Sequence, residues 1–227
     1  MNQTILLIDD DAELVQLLSD YFAIEGYKVI SAISGEEGIQ TLSTAHVDIV
    51  VLDFMMPGMN GIQTLVKIRS SSNLPVIMLT ARGDDSYRIM GLEFGADDYV
   101  SKPCSPRELV ARIRAILKRT HIVAANIQPI FAGAITIWPA LRRAEKSGQV
   151  LELTSTEFSL LEVLVRKAGH VVSKSELSFE GLGREFTRYD RSIDVHISSI
   201  RSKLGKMENG LPSIETVIRK GYQLIIG

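Results

Sequence analysis

Asp53 closes a run of four apolar residues, Ile49 to Leu52, and Pro57, Gly58 and Gly61 break the chain soon after it. A short apolar run bounded by turn residues reads as a strand buried on both faces of a parallel sheet. Its terminal carboxylate then stands at the sheet's carboxyl edge, where open α/β sheets carry ligands and chemistry. Taken alone, an aspartate there is equally well a helix cap. A second apolar run, residues 4–8, ends in Asp9, Asp10 and Asp11. Asp11 fits a solvated helix start, whereas Asp9 and Asp10 meet Asp53 if the two strands are neighbours. Carboxylates gathered in one crevice repel one another unless a cation sits among them, and hard oxygen ligands suit Mg²⁺. Thr80 and Lys102 end two further runs of the same kind. A hydroxyl and an ammonium beside Asp53 would bind the oxygens of a phosphoryl group, with Asp53 as nucleophile. Nothing else in the chain reads as a general base, which fits an acyl phosphate formed by transfer from a donor.

The elements that must position these groups follow from periodicity. After the first strand, apolar residues recur at helical spacing from Leu14 to Phe22, with Gly26 as a stop. Residues 27–32 form a second strand and 36–42 a short helix; the Asp53 strand and a helix over 62–68 follow. Residues 74–80 read as a fourth strand with Pro75 at its entry, where a missing N–H does least harm. A helix over 87–94, a short strand over 98–100 and a long amphipathic helix over 108–117 complete the series. Strand alternating with helix five times means a doubly wound five-stranded parallel sheet covered on both faces.

Residues 121–133 have no period and read as a linker. Beyond it, residues 134–138, 141–145 and 149–153 look like short strands. Thr154 answered by Glu157, and Ser173 answered by Glu176, are two capping boxes, each opening a helix. A third helix runs from about 190 to 204. Residues 214–217 and 222–226, turned through Arg219-Lys220-Gly221, form a terminal hairpin.

Composition bounds the classes open to this chain. Its 227 residues, 45% hydrophobic and 23% charged, suit two ordinary globular domains. No run approaches the about 18 apolar residues of a membrane span. The N-terminus has no basic-then-apolar leader, and the single cysteine, Cys104, excludes an intrachain disulfide. A cytoplasmic protein without a membrane partner is expected. Residues 1–120 hold 11 Lys+Arg and 16 Asp+Glu, and the remainder 14 and 11, so an acidic half precedes a basic one.

The stretches Ile8-Asp9-Asp10, Leu52-Asp53-Phe-Met-Met-Pro-Gly-Met-Asn-Gly61, Leu79-Thr80-Ala81-Arg82 and Tyr99-Val-Ser-Lys102-Pro103 resemble the receiver domain of two-component response regulators. The second half resembles the winged helix-turn-helix domain of the OmpR/PhoB class. Its wording at 153–161, 172–177 and 190–197 is most similar to the Cpx envelope-stress branch. The resemblance implies a receiver over 1–120, a linker over 121–133 and a DNA-binding domain over 134–227. It implies Asp53 as phosphoacceptor from a sensor histidine kinase, and Mg²⁺ on Asp9, Asp10, Asp53 and the backbone carbonyl of Met55. Lys102 would pair with the phosphoryl oxygen beside a cis Lys102–Pro103 bond, and Thr80 and Tyr99 would form the switch.

The same resemblance implies a homodimer on phosphorylation through the pairs Arg88–Glu108, Asp98–Arg112 and Asp97–Arg114. Glu108 and Arg112 are four apart, so a pair within one helix is an equal reading of their spacing. In the third C-terminal helix, Ile193, Ile197, Ile200 and Leu204 face a core. By resemblance, Arg191, Arg201 and His196 contact phosphates or bases of double-stranded DNA, Ser192 and Val195 approach base edges, and Lys203 contacts the backbone. Arg219 or Lys220 would enter the minor groove, and RNA polymerase is a further partner. The chain departs from many relatives by Ser198 and Ser199 where they carry Arg, and by a hairpin tip one glycine short. No separate enzymatic output is expected. Two other readings stay open: an aspartyl-phosphate phosphatase, for which Met55 stands where a second acid is needed, and a receiver whose second domain binds protein only.

Overall fold

The computed structural model describes residues 3–81, 85–120, 128–187, 191–207 and 210–226; the side chains of residues 81, 85–88, 119 and 120 lie outside the described set. The chain divides into two units at Leu117 and Lys118.

The first unit alternates strand and helix throughout: β1 (Thr4–Ile8), α1 (Ala12–Ile24), β2 (Lys28–Ala32), α2 (Gly35–Thr44), β3 (Ile49–Asp53), α3 (Gly61–Arg69), β4 (Val76–Ala81), α4 (Asp85–Glu93), β5 (Asp98–Lys102) and α5 (Pro106–Thr120). The strands form one parallel sheet in the order β2-β1-β3-β4-β5, so the sequence-based fold class is the observed one. β1, β3 and the adjoining part of β4 are apolar at successive positions because both faces are covered. Ile5 and Leu7 enter one core with Val51, Leu79 and Ile113; Leu6 and Ile8 enter the other with Leu52, Met78 and Leu65. Asp11 caps α1 by accepting from the Glu13 and Leu14 amides, the role its place after β1 predicts.

The second unit opens on an antiparallel sheet of β6 (Ile130–Ala132), β7 (Ile135–Trp138), β8 (Arg143–Lys146) and β9 (Gln149–Val150). β6 falls inside the segment read as linker; its three residues are too few to show a period, yet it pairs with β7 throughout its length. β9 is shorter than expected, because the chain leaves the sheet to meet Thr154 and its capping box. α6 (Ser155–Arg166) follows, then β10 (Val171–Val172), α7 (Lys174–Glu176) and a π-helical turn at Leu177–Leu182. α8 (Ser192–Leu204) precedes the hairpin of β11 (Ile214–Val217) and β12 (Gly221–Leu224), to which β10 adds a third strand. The start of the third helix at 190 lies outside the described residues. Phe158, Leu161, Leu164, Ile193, Ile197, Ile200 and Leu224 share the core of this unit. Among the described residues, no helix is long and apolar enough to cross a membrane.

Candidate functional site

Strand order decides which side chains meet. β3 lies between β1 and β4, with β5 beyond, so the residues at their carboxyl ends face one crevice. Asp9 follows β1 directly, Asp53 ends β3 and Lys102 ends β5. The Lys102 ammonium lies 2.6 Å from Asp9 Oδ2 and 2.7 Å from Asp53 Oδ1. Asp9 is fully buried, Asp53 is 5% exposed, and Asp10 faces solvent. Oxygens of Asp9, Asp10 and Asp53 all lie within 4.8 Å of one another. Thr80 is buried one residue beyond the partner of Asp53 on β4. Register pairs Met78 with Tyr99 and Thr80 with Ser101, so strand alternation puts Thr80 and Tyr99 on the same sheet face. The Lys102–Pro103 peptide is cis.

The electrostatics follow from that packing. Burial pushes the Asp53 carboxyl up from its ordinary range; Lys102 opposes this and the neighbouring Asp9 charge adds to it. Burial alone would lower the Lys102 pKa, but its bonds to Asp53 and Asp9 outweigh that and hold the ammonium charged. Among the described residues, three carboxylates against one ammonium leave the crevice short of positive charge. An all-oxygen donor set with this deficit fits Mg²⁺.

The loop after β3 is anchored from the other side. A Cβ on Gly61 would lie 2.2 Å from the Asp53 carbonyl oxygen, so only glycine lets α3 begin this close to the strand. Asn60 and Gln63 form a capping box over the same turn, a signal present in the sequence as an Asn followed three residues later by Gln. Met55 is exposed in that loop.

The residues expected at a dimer face are less free than the sequence implies. Asp97 is buried and accepts from Arg69 Nη2 and the Val76 amide, each at 3.0 Å. Arg114 instead meets Glu25 at 2.5 Å. In the single chain, Arg69 reaches across from the end of α3 to the Asp97 carboxylate, so the expected Asp97–Arg114 pair is one between subunits. Arg112 pairs within the chain with Asp98 at 2.7 Å and with Glu108 at 2.8 Å. The Arg88 side chain lies outside the described residues.

In the second unit, α8 presents a narrower polar face than its sequence implies. Arg191, Ser198 and Ser202 are exposed and Val195 is half-buried, a stripe at i, i+4, i+7 and i+11, with Lys203 exposed beside it. Ser192 and His196, expected at the DNA, are buried; Ser192 accepts from Arg184 Nη2 at 2.9 Å. Arg201 Nε donates to the Ile214 carbonyl at 2.8 Å and Nη2 to Thr216 Oγ1 at 2.7 Å, while its guanidinium covers the Tyr222 ring. Those bonds tie α8 to the hairpin and take Arg201 off the outer face. Lys203 donates to the buried Glu157. Arg219, at φ 64°, and Lys220 are exposed at the hairpin tip.

Two family models match the chain: the response regulator receiver domain over residues 5–114, and the transcriptional regulatory protein, C terminal, over 148–224. The transcriptional regulatory protein CpxR of Klebsiella pneumoniae is 46% identical over 227 residues, 97% of each chain. A CpxR homolog from Haemophilus influenzae is 45% identical, covering 97% of this chain and 98% of its own. Among solved structures, the response regulator DrrB, a Thermotoga maritima OmpR/PhoB homolog, matches with a TM-score of 0.54 and 27% identity over 99% of this chain and 100% of its own. With its parallel receiver sheet and its DNA-binding second domain, the chain belongs to the OmpR/PhoB-type response regulators, transcription factors activated by phosphorylation.

Proposed function

We propose that Asp53 is the phosphoacceptor of this regulator, charged by a sensor histidine kinase in the cytoplasm. The observation that carries the reading is the Lys102 ammonium held between Asp9 and Asp53 beside a third carboxylate. An Asp53 oxygen forms the new O–P bond as the donor's N–P bond breaks, and the imidazole leaves with the donor. Lys102, already 2.7 Å from Asp53, donates to one phosphoryl oxygen, and the Thr80 hydroxyl to another. Asp9, Asp10, Asp53 and the Met55 carbonyl would hold Mg²⁺, which when bound would neutralise charge on the phosphoryl oxygens.

Phosphorylation puts a group of about −1.5 to −2 charge and three acceptor oxygens where a single carboxylate charge stood, beside the Lys102 ammonium. It shifts the receiver between states because Thr80 and Lys102 satisfy the new acceptors in one state better than in the other. Tyr99, on the same sheet face as Thr80, follows that movement. The receiver then dimerises through the face of α4, β5 and α5, with the pairs Arg88–Glu108, Asp98–Arg112 and Asp97–Arg114 forming between subunits. α8 enters the major groove with Arg191, Val195, Ser198 and Ser202, and Arg219 or Lys220 reaches the minor groove. The targets include envelope-stress promoters, with RNA polymerase as a further partner. A small-molecule phosphodonor with Mg²⁺ should label the chain at one site, and Asp53→Asn should remove the label. Full labelling of that variant overturns the assignment.

A further inference from the structure

The capping box of Thr154 and Glu157 carries more than a helix start. Glu157, at the third position of α6, is 2% exposed, and its carboxylate collects donors from two parts of the unit. Oε2 accepts from the Thr154 amide at 2.8 Å, which closes the cap. Oε1 accepts from Ser199 Oγ at 2.5 Å, and Oε2 from Lys203 Nζ at 2.6 Å. Ser199 and Lys203 are four residues apart, so they stand on one side of α8 and close on the same carboxylate from successive turns. That side is not the exposed stripe of Arg191, Val195, Ser198 and Ser202.

We infer that Glu157 is a positioning residue for DNA binding: it docks the C-terminal half of α8 on the start of α6 and keeps the Lys203 charge out of the phosphate contacts. The inference rests on α8 being the element that meets DNA. Lys203 is 34% exposed at its side chain, so its ammonium is within reach of solvent, yet it is committed to a carboxylate that has no other cation beside it among the described residues. A buried carboxylate stripped of its cation is costly, whereas an ammonium near the surface gains little by exchanging this partner for a phosphate. Lys203 therefore stays with Glu157 when DNA arrives. The polar face that looks able to bind six or seven groups of a duplex is reduced to its outer stripe.

The salt dependence of binding separates this from a merely structural pair. Each cation that contacts a phosphate releases counterions and steepens the slope of log K against log[salt] by about 0.9. The full chain is titrated by fluorescence anisotropy with a random-sequence DNA duplex over a range of KCl. Lys203→Gln, which keeps a hydrogen-bond donor for Glu157, is expected to leave the wild-type slope unchanged. Glu157→Gln frees the ammonium and is expected to steepen the slope by about 0.9 per subunit; adding Lys203→Gln returns it. A slope flattened by about 0.9 per subunit in Lys203→Gln alone overturns the inference, as does an unchanged slope in a folded Glu157→Gln chain. If Glu157→Gln does not fold, the Lys203→Gln slope decides by itself. A wild-type chain that fails to bind the duplex at low salt overturns both this inference and the role of α8.

Discussion

The carboxyl edge of the receiver sheet and the outer face of α8 are both built from polar residues that the sequence marks for function, and they behave differently. At the sheet edge, Asp9, Asp53 and Lys102 come from strands up to 93 positions apart and arrive within hydrogen-bonding distance. On α8, which is only 13 residues long, Ser192 and His196 are buried, while Arg201 and Lys203, still reached by solvent, bond to partners in the second unit. A parallel sheet sets where its strand ends lie, so a residue's address follows from strand order. A helix sets only angles around its own axis. Which angle meets solvent depends on neighbours that the helix's own sequence does not name.

That contrast can be broken most severely at Asp53, where Asp53→Asn should abolish phosphorylation altogether and leave DNA binding without its response to phosphodonor, as phosphate labelling and anisotropy would show. Next in size is Lys102→Ala. It leaves the carboxylates of Asp9 and Asp53 with no cation between them, and should cost the receiver about 3 kcal/mol in urea unfolding with EDTA present. Mg²⁺ should restore part of that loss; equal stability of variant and wild type in EDTA would show that the crevice tolerates its own charge.

Glu157 offers the matching test in the second unit. Burial would raise its pKa, but the bonds from Lys203 and Ser199 prevail and hold it below its ordinary value of 4.5. Ionisation therefore favours the folded state: the contribution is complete above pH 4.5 and is lost as pH falls through the depressed folded value. The urea midpoint of the second unit should decline in that acid range, and Glu157→Gln should remove this part of the decline. The smallest effects belong to two single arginines, Arg191 and Arg112. Arg191→Ala should flatten the salt slope of DNA binding by about 0.9 per subunit. Arg112→Ala takes the charged hydrogen bond from the buried Asp98 and should lower the stability of the unphosphorylated chain by about 2 kcal/mol, while reducing the phosphorylated dimer seen by analytical ultracentrifugation.

Much of the fold was legible because two simple periods carry it. Buried strands ended by Asp53, Thr80 and Lys102 needed only the alternation of strand and helix to be placed. The capping boxes at Thr154 and Ser173 were legible for a similarly local reason, since both partners lie within one turn. What was hidden involved reach. Arg69 meets Asp97 from 28 residues away, through a side chain whose direction no local pattern gives. Ser192 and His196 look like surface residues by type, and polar groups enter a core only when partners wait there, as Arg184 does for Ser192. β6 was hidden by brevity.

The two bonds from Arg201 to β11 have a bearing on which promoters can be read. They fasten α8, the helix proposed to enter the groove, to the hairpin, so the spacing of the two proposed prongs is set by the protein. Such a caliper has one opening, and a duplex whose grooves are spaced otherwise must bend or twist to fit. Base steps that neither prong touches then acquire a vote in target choice, weighted by how stiff they are.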